Sequence, residues 1–224
     1  MKPPITVTAQ KTGKELKKLE IKNAQGYLNT LYRIALDTRV TLLSKRSVDR
    51  FKEITLDAGF DYTIRILKDR IAAERKGLIF VGNGGSAAIA IHMLMDYLNA
   101  GDIRTMDFTS PALLTCMAND YGWENVFSVP IEKSADQGDV LFAISSSGQS
   151  KNILNACDAA DKKGCLIITF SGMSENNLLR SRGYLNFYVP SNHYGFIELT
   201  HEALLHGILD LFIKTFFNES GKKG

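Results

Sequence analysis

Two stretches decide the fold: GLIFVGNGGSAA (77–88) and GDVLFAISSSGQS (138–150). In each, an apolar run typical of a buried strand ends in glycine and serine, and a segment with helical character follows. Glycines let the backbone approach a ligand closely, and N–H groups at a helix N-terminus favour negative charge. The second loop carries four hydroxyls within six residues, which is more than a turn needs. The pair predicts a pocket for a phosphorylated small molecule, with ordinary strand-to-helix turns as the alternative.

Around these loops, short apolar runs alternate with helical segments. The strand candidates are residues 78–81, 105–108, 140–144, 166–170 and 185–189. The helix candidates are residues 87–98, 112–121, 152–163 and 177–182, with a last helix from about 195 to 217. This alternation predicts a three-layer α/β/α fold, in which a five-stranded parallel sheet has helices on both faces. Ligands of such sheets bind beyond the carboxyl ends of the strands, where both loops fall.

Two helices are predicted before the first loop. The first presents one apolar face at helical spacing, formed by Leu28, Leu31, Tyr32 and Ala35. The second is expected to begin after Ser47 as N-cap and to break at Gly59. Its apolar positions are Phe51, Ile54, Ala58, Ile64, Leu67 and Ile71. We expect residues 1–42 to form an extension, with a flexible start and a helix suited to oligomerisation, and residues 43–224 to form the main domain.

Composition excludes several classes of protein. The chain has 224 residues and a net charge of only +3, so nothing indicates nucleic-acid binding. Three cysteines without CxxC spacing predict reduced, buried thiols. No apolar run has the length of a signal peptide core or a membrane span, so a cytoplasmic protein without membrane contact is expected.

The first loop does not match the common nucleotide-binding motifs. No Gly-Lys-Ser/Thr follows it, so it is not a Walker A loop. Gly82, Gly84 and Ala87 partly fit the dinucleotide pattern, but no strand then ends in an acidic residue at the expected distance. No nucleotide cofactor is therefore expected.

Three motifs together resemble a known family. They are GNGGS followed by a helix, ANDYG at residues 118–122, and AISSSGQSKNI at residues 143–153. This combination resembles the sugar isomerase (SIS) domain with its flavodoxin-like topology, and within it most closely the phosphoheptose isomerases. The similarity extends from about residue 43 to the C-terminus.

The resemblance implies which residues hold the substrate. The phosphate would be bound by serines of the two loops: Ser86, Ser145, Ser146, Ser147 and Ser150. Asn83 and Gly84 would lie near the sugar. Asp120 would contact sugar hydroxyls, with a local capping or turn role as an equal alternative.

The implied reaction is an aldose–ketose isomerisation through an enediol, which needs acid and base groups or a metal that polarises the oxygens. The catalytic candidates are Asp96, His206, His201 and Glu198. The residues that match the family's metal ligands are His92, Asp96, Glu198 and His206. They imply Zn²⁺ or a harder divalent metal.

Several positions depart from the family pattern and indicate a divergent member: Ala100 stands where an Arg is expected and Ser110 replaces an acidic residue, and two further departures fall on candidate site residues. Asp96 replaces a Glu and shortens the carboxylate, and Glu198 replaces a Gln and adds a negative charge. By helical spacing Glu198 and His206 are able to converge. Glu198 also pairs with His201 at i+3, and Glu202 pairs with His206 at i+4, so which histidine faces the site stays open.

We expect an isomerase that converts sedoheptulose 7-phosphate to D-glycero-D-manno-heptose 7-phosphate, in a lipopolysaccharide or capsule pathway. The alternative is a non-catalytic SIS module that binds a sugar phosphate as a regulator or adaptor. A third reading is an enzyme acting on an amino-sugar phosphate. The amphipathic N-terminal helices favour a homodimer or homotetramer, and the resemblance implies a pocket at the subunit interface.

Overall fold

A seven-stranded mixed sheet forms the centre of the computed structural model, which describes residues 5–7, 19–21, 23–43 and 51–220. A separate antiparallel pair, β1 (Ile5–Val7) and β2 (Leu19–Ile21), precedes it. The strands of the main sheet are β3 (Arg39–Leu43), β4 (Phe51–Ile54), β5 (Leu78–Gly82), β6 (Thr105–Met106), β7 (Val140–Ser145), β8 (Leu166–Ser171) and β9 (Leu185–Tyr188). Their order across the sheet is β4-β3-β9-β8-β7-β5-β6.

Five of these strands, β5 to β9, pair in parallel. In chain order they lie 2-1-3-4-5, which is the flavodoxin-like arrangement. The predicted parallel sheet is thus confirmed, although the second strand ends at Met106 rather than at residue 108. Strand order reverses between β5 and β7, so the two Gly/Ser loops lie together at the switch point.

Helices cover both faces of the sheet. They are α1 (Ala24–Leu36), α2 (Leu56–Ile66), α3 (Gly85–Asn99), α4 (Pro111–Tyr121), α5 (Ser128–Ser134), α6 (Lys151–Lys162) and α7 (Tyr194–Ser220). A π-helical segment, Leu67–Ala73, continues α2, and the expected helix at 177–182 is a short 3₁₀ segment, Leu178–Ser181. Strand side chains alternate between the layers: Phe80 belongs to a core cluster that includes residues of α1, α2, α3 and α7, whereas Ile79 belongs to a cluster that includes residues of α4, α5 and α6.

The N-terminal edge of the sheet corrects one prediction. Residues 51–54 form β4 and not the start of a helix, because β4 pairs with β3, which in turn pairs with β9. Helix α2 begins after Thr55, whose hydroxyl accepts a hydrogen bond from the Ala58 amide at 3.2 Å. Ser47, the expected N-cap, lies outside the described residues.

Gly59 does not break α2, contrary to expectation. It lies inside the helix, where an added Cβ would come within 2.7 Å of Val40 Cγ1 on β3. The glycine therefore allows the helix to pack closely on the sheet.

Helix α1 leaves an apolar stripe uncovered in the single chain. Its buried residues are Thr30 and Ile34, and Tyr27 stacks near Phe196 of α7 with ring centroids 4.7 Å apart. Leu28, Tyr32 and Leu36 are 56%, 68% and 59% exposed. The expected division at residue 42 falls within β3, and the two-part domain organisation stays a prediction.

The structure also tests the expectations about the cysteines and about membrane-spanning helices. Cys157 and Cys165 are buried and unpaired, but Cys116 is exposed on α4, so the expectation of three buried thiols is wrong for that residue. In the described part of the chain, no helix combines the length and apolar character needed to cross a membrane.

Candidate functional site

A polar cavity of about 240 Å³ lies at the switch point between β5 and β7. It is lined by Asn83, Gly84, Gly85, Ser86, Ser145, Ser146, Ser147, Ser150, Tyr194 and Glu198. All five serines predicted to hold a phosphate line this cavity, and so do Asn83 and Gly84. We call it the serine pocket.

Three helices point their N-termini at the serine pocket. Helix α3 begins at Gly85, α6 follows Ser150, and α7 begins at Tyr194. The N-cap residues of α3 and α6, Gly84 and Ser150, make no side-chain hydrogen bond to the first turn, although the Ile153 amide in α6 donates to Asn152 Oδ1 at 3.0 Å. The Ser146 hydroxyl is buried and has no hydrogen-bond partner in the described structure. This unpaired hydroxyl and the N-termini of three helices suit an anion, although no lysine or arginine is among the described lining residues.

Glycines shape the wall of the serine pocket. Gly84 has φ of +52°, which L-amino acids rarely adopt, and it turns the chain into α3. A Cβ on Gly85 would lie 2.6 Å from the Glu198 carboxylate. The space beside Gly85 is thus filled by the carboxylate of a residue on α7.

The two serine pocket loops are joined by a pair of amides. Asn83 Nδ2 donates to Asn152 Oδ1 at 2.9 Å, and Asn152 Nδ2 donates to Asn83 Oδ1 at 2.8 Å. Asn152 is buried at the start of α6 and was not a predicted site residue. Its signal in the sequence is a polar side chain among the apolar positions of α6, which alone does not identify a partner 69 residues away.

A second polar group, which we call the histidine cluster, lies in the cleft between α3 and α7. His92 Nε2 lies 3.4 Å from Asp96 Oδ2, and His206 Nδ1 lies 3.7 Å from the same oxygen. The two imidazole rings are 5.1 Å apart and nearly perpendicular, at 73°. Glu202 completes the cluster, with Oε1 2.8 Å from His92 Nδ1.

The donor set of the histidine cluster suits a divalent metal. One ligand atom from each of His92, Asp96 and His206 lies within 4.8 Å of the other two. Two imidazoles and one carboxylate form a typical three-residue catalytic set that leaves a coordination position for water or substrate.

Glu198 does not lie in this group of three, although the resemblance matches it to a metal ligand. It lines the serine pocket instead. Eight residues separate it from His206, which is a rise of about 12 Å along a helix. The two side chains are on similar faces of α7 but at different levels.

His201 lies outside both the pocket and the cluster. It is fully buried, with Nε2 3.1 Å from the Ser171 carbonyl oxygen and its ring against Phe170. Burial lowers the pKa of His201 to about 4, with the contact to Ser171 opposing the shift. The structure therefore places His201 in the core and leaves His206 as the histidine of α7 that faces α3.

Asp120 lies at the exposed end of α4. Its carboxylate is 3.6 Å from the Cys116 thiol, and partial desolvation of the exposed thiol together with this negative charge raises the pKa of the thiol. Asp120 is not among the described residues that line the serine pocket.

Helices α3 and α7 run side by side from the pocket to the cluster. Contacts between them follow in order along both helices: Gly85 with Glu198, His92 with Glu202, and Tyr97 with Leu205. His92 lies six residues beyond Ser86, a rise of about 9 Å. The anion pocket and the acid–base cluster are therefore separated by roughly the length of a small phosphorylated molecule.

Comparisons with known proteins agree with this geometry. Residues 44–172 match the profile of the SIS domain family. A phosphoheptose isomerase from Syntrophotalea carbinolica is 36% identical over 151 residues, which are 65% of this chain and 76% of that protein.

Solved structures extend the similarity to the fold. The phosphoheptose isomerase from Neisseria gonorrhoeae superposes with a TM-score of 0.64 at 26% identity, covering 70% of this chain and 86% of that one. The Francisella tularensis enzyme of the same name gives a TM-score of 0.69 at 19% identity, over 85% and 96% of the two chains, and supports the fold. The chain therefore belongs to the SIS domain family, in the branch whose curated relatives are named phosphoheptose isomerase.

Proposed function

We propose that the protein is an aldose–ketose isomerase that converts sedoheptulose 7-phosphate to D-glycero-D-manno-heptose 7-phosphate. The observation that carries the proposal is the spacing of the histidine cluster from the serine pocket along α3 and α7. Six carbon–carbon bonds of about 1.5 Å separate C1 from C7 of a heptose, so the extended chain reaches about 8 Å. A phosphate held in the serine pocket would thus leave C1 and C2 at the level of His92, whose ring lies beside the Asp96 carboxylate and the His206 ring.

In this proposal the serine pocket binds the phosphate without a cationic side chain. The hydroxyls of Ser86 and of the second loop donate to phosphate oxygens, and the helix N-termini supply a favourable field. Asn83 and Gly84 border the sugar. Glu198, at the edge of the pocket, is placed to accept hydrogen bonds from sugar hydroxyls.

The histidine cluster would move the protons. A base removes the proton from C1 of the ketose, and the electron pair of that C–H bond forms the C1=C2 double bond of an enediolate. Return of a proton to C2 gives the aldose, while the hydroxyl proton moves from O1 to O2. We assign the carbon proton to the Asp96 carboxylate and the oxygen proton to the His206 imidazole.

The histidine cluster fits a divalent metal such as Zn²⁺ as part of this proposal. His92, Asp96 and His206 would hold it, and when bound it would polarise the substrate oxygens and stabilise the enediolate charge. Glu198 is not part of the proposed metal set, because it lies at the level of the serine pocket.

We further propose that the active form is a homo-oligomer, a tetramer or a dimer. The stripe of Leu28, Tyr32 and Leu36 on α1 is too apolar to face water in isolation. Ile91, Met95 and Leu98 form a second exposed apolar stripe on α3, next to His92. A partner that covers this stripe would close the histidine cluster, which supports a pocket at a subunit interface.

A cytoplasmic location and a role in lipopolysaccharide or capsule synthesis complete the proposal. Sugar phosphates are cytoplasmic metabolites, and the curated relatives carry the name phosphoheptose isomerase.

The test is an assay of sedoheptulose 7-phosphate turnover by protein purified without chelator. The reaction is monitored by the NMR signal of the anomeric carbon. Asp96→Asn and His206→Gln should each lower kcat at least about 100-fold, because each removes a proton-transfer group. The control is Asp61→Asn, an exposed carboxylate on α2, which should leave kcat unchanged.

Tight binding of sedoheptulose 7-phosphate without turnover would reject the isomerase and indicate the non-catalytic sugar-phosphate module. Turnover that survives both Asp96→Asn and His206→Gln would reject the assigned residues while leaving the reaction in place.

A further inference from the structure

The contact between Glu202 and His92 is the shortest in the histidine cluster. Glu202 Oε1 is 2.8 Å from His92 Nδ1, within the range of 2.7–3.2 Å typical of an N–H···O hydrogen bond. The separations of 3.4 Å from His92 to Asp96 and 3.7 Å from His206 to Asp96 are longer than that range. Among these three contacts, only the one with Glu202 is a well-formed hydrogen bond.

We propose that Glu202 is a positioning residue that orients His92 for the reaction assigned above. The inference rests on the proposed function because it takes His92 as part of the reacting site. The Glu202 carboxylate accepts a hydrogen bond from Nδ1–H of His92, which holds the ring and selects its tautomer. In the neutral ring Nε2 is then the unprotonated nitrogen, and it lies on the side of Asp96.

The chemistry of the two groups fixes the direction of this hydrogen bond. An ionised carboxylate only accepts hydrogen bonds, so Nδ1 of His92 carries the proton. In a neutral imidazole the other nitrogen then presents a lone pair. His92 Nε2 and Asp96 Oδ2 are then two neighbouring acceptors in the cleft. Such a pair suits a cation, or a substrate hydroxyl that donates a hydrogen bond to one of them.

The position of Glu202 along α7 explains why Glu202, and not Glu198, contacts His92. Glu198 is level with Gly85 at the serine pocket, whereas Glu202 lies one helical turn further and is level with His92. A carboxylate that holds the outer nitrogen of a histidine fixes the ring orientation and raises its basicity as a ligand. Glu202 supplies that group from the helix opposite His92.

The test compares Glu202→Ala and Glu202→Gln with the unchanged protein in ¹⁵N-histidine NMR. The chain has four histidines, so the spectrum is simple, and a His92→Gln variant assigns the His92 signals. We expect His92 to carry its proton on Nδ1 in the unchanged protein and to populate both tautomers in Glu202→Ala. Glu202→Gln should keep the original tautomer, because the amide oxygen still accepts from Nδ1–H.

The kinetic readout separates positioning from fold support. Glu202→Ala should lower kcat about 10–100-fold with little change in KM, as for other groups that orient a functional histidine. Glu202→Gln should recover most of kcat. Glu132→Gln, which removes an exposed carboxylate on α5, serves as the matched control and should change neither quantity.

The tautomer measurement needs no turnover, so it stays decisive if the isomerase assay fails. An unchanged His92 tautomer in Glu202→Ala would overturn the proposal. Equal losses of kcat in Glu202→Ala and Glu202→Gln would also overturn it, because the charge and not the hydrogen bond would then matter.

Discussion

At the residue scale, the position of each side chain along α3 or α7 determines which residue it contacts across the cleft between the two helices. Glu198, Glu202 and His206 recur every four residues on α7 and face three successive levels of α3. Helical spacing in the sequence predicts that such residues share a face, but it does not predict which residue of another helix each one meets. Spacing therefore paired Glu202 with His206, whereas the structure pairs it with His92.

Gly85 offers a test of the contact with Glu198. Gly85→Ala should weaken binding of sedoheptulose 7-phosphate about tenfold, or about 1.4 kcal/mol, because its Cβ displaces the Glu198 carboxylate into the serine pocket. Isothermal titration calorimetry measures the change. The double variant Gly85→Ala/Glu198→Ala should bind more tightly than Gly85→Ala, and equal affinities of the two would contradict the steric explanation.

The buried histidine gives a prediction on stability and pH. The pKa of His201 is lowered to about 4, whereas an unfolded histidine has a pKa of about 6.5. Between these values the unfolded chain binds more protons, so protonation favours unfolding and stability falls as pH decreases from about 6.5 to 4. Protonation of His201 therefore lowers the free energy of unfolding by about 3 kcal/mol below pH 4 and does not change it above pH 6.5.

His201→Gln should remove this part of the pH dependence while keeping a donor for the Ser171 carbonyl oxygen. Urea unfolding at pH 7 and pH 5 measures it: the unchanged protein should lose more stability between these pH values than the variant does. Identical losses would show that His201 titrates normally.

At the element scale, the N-terminal edge of the sheet is the part that the sequence predicts least well. Phe51, Ile54 and Ala58 have helical spacing, yet the first two lie in β4, whose residues are mostly exposed. A short edge strand is specified by its pairing with β3, and β3 by its pairing with β9 more than a hundred residues later. Local periodicity contains no trace of that pairing, whereas the buried runs of β7 and β8 are apolar throughout and were predicted closely.

The packing of α2 on β3 gives a stability prediction. Gly59→Ala should destabilise the protein by about 1–3 kcal/mol, because the added Cβ would lie 2.7 Å from Val40 Cγ1 and 3.1 Å from the Phe187 ring. Chemical denaturation measures the change. Val40→Ala should relieve part of the loss in the double variant.

The matched control for Gly59→Ala is Gly26→Ala in α1. Its nearest neighbour would be Asn23 Oδ1 at 3.4 Å, an ordinary contact, so helix propensity should dominate and stabilise by about 0.5–1 kcal/mol. Equal effects at the two positions would contradict the close packing of α2 on the sheet.

At the scale of the whole molecule, the apolar stripe on α1 tests the proposed oligomer. Leu28→Lys/Tyr32→Glu should lower the mass measured by light scattering without lowering the helix content, because both side chains are exposed in the single chain. Leu178→Lys, on an exposed residue of the 3₁₀ segment, is the control and should leave the mass unchanged. A monomeric unchanged protein, or a variant of undiminished mass, would reject this interface.

The paired amides of Asn83 and Asn152 couple the two loops of the serine pocket, so we expect the loops to open together. Because each amide holds the other, the loop after β5 cannot move away without also breaking the contact at the start of α6. The amide protons of both loops should therefore exchange with solvent in one step of common free energy, rather than as two loops that breathe separately. A bound anion would slow exchange equally in both loops, so a ligand that contacts one loop also protects the other, although the two asparagines are 69 residues apart in the sequence.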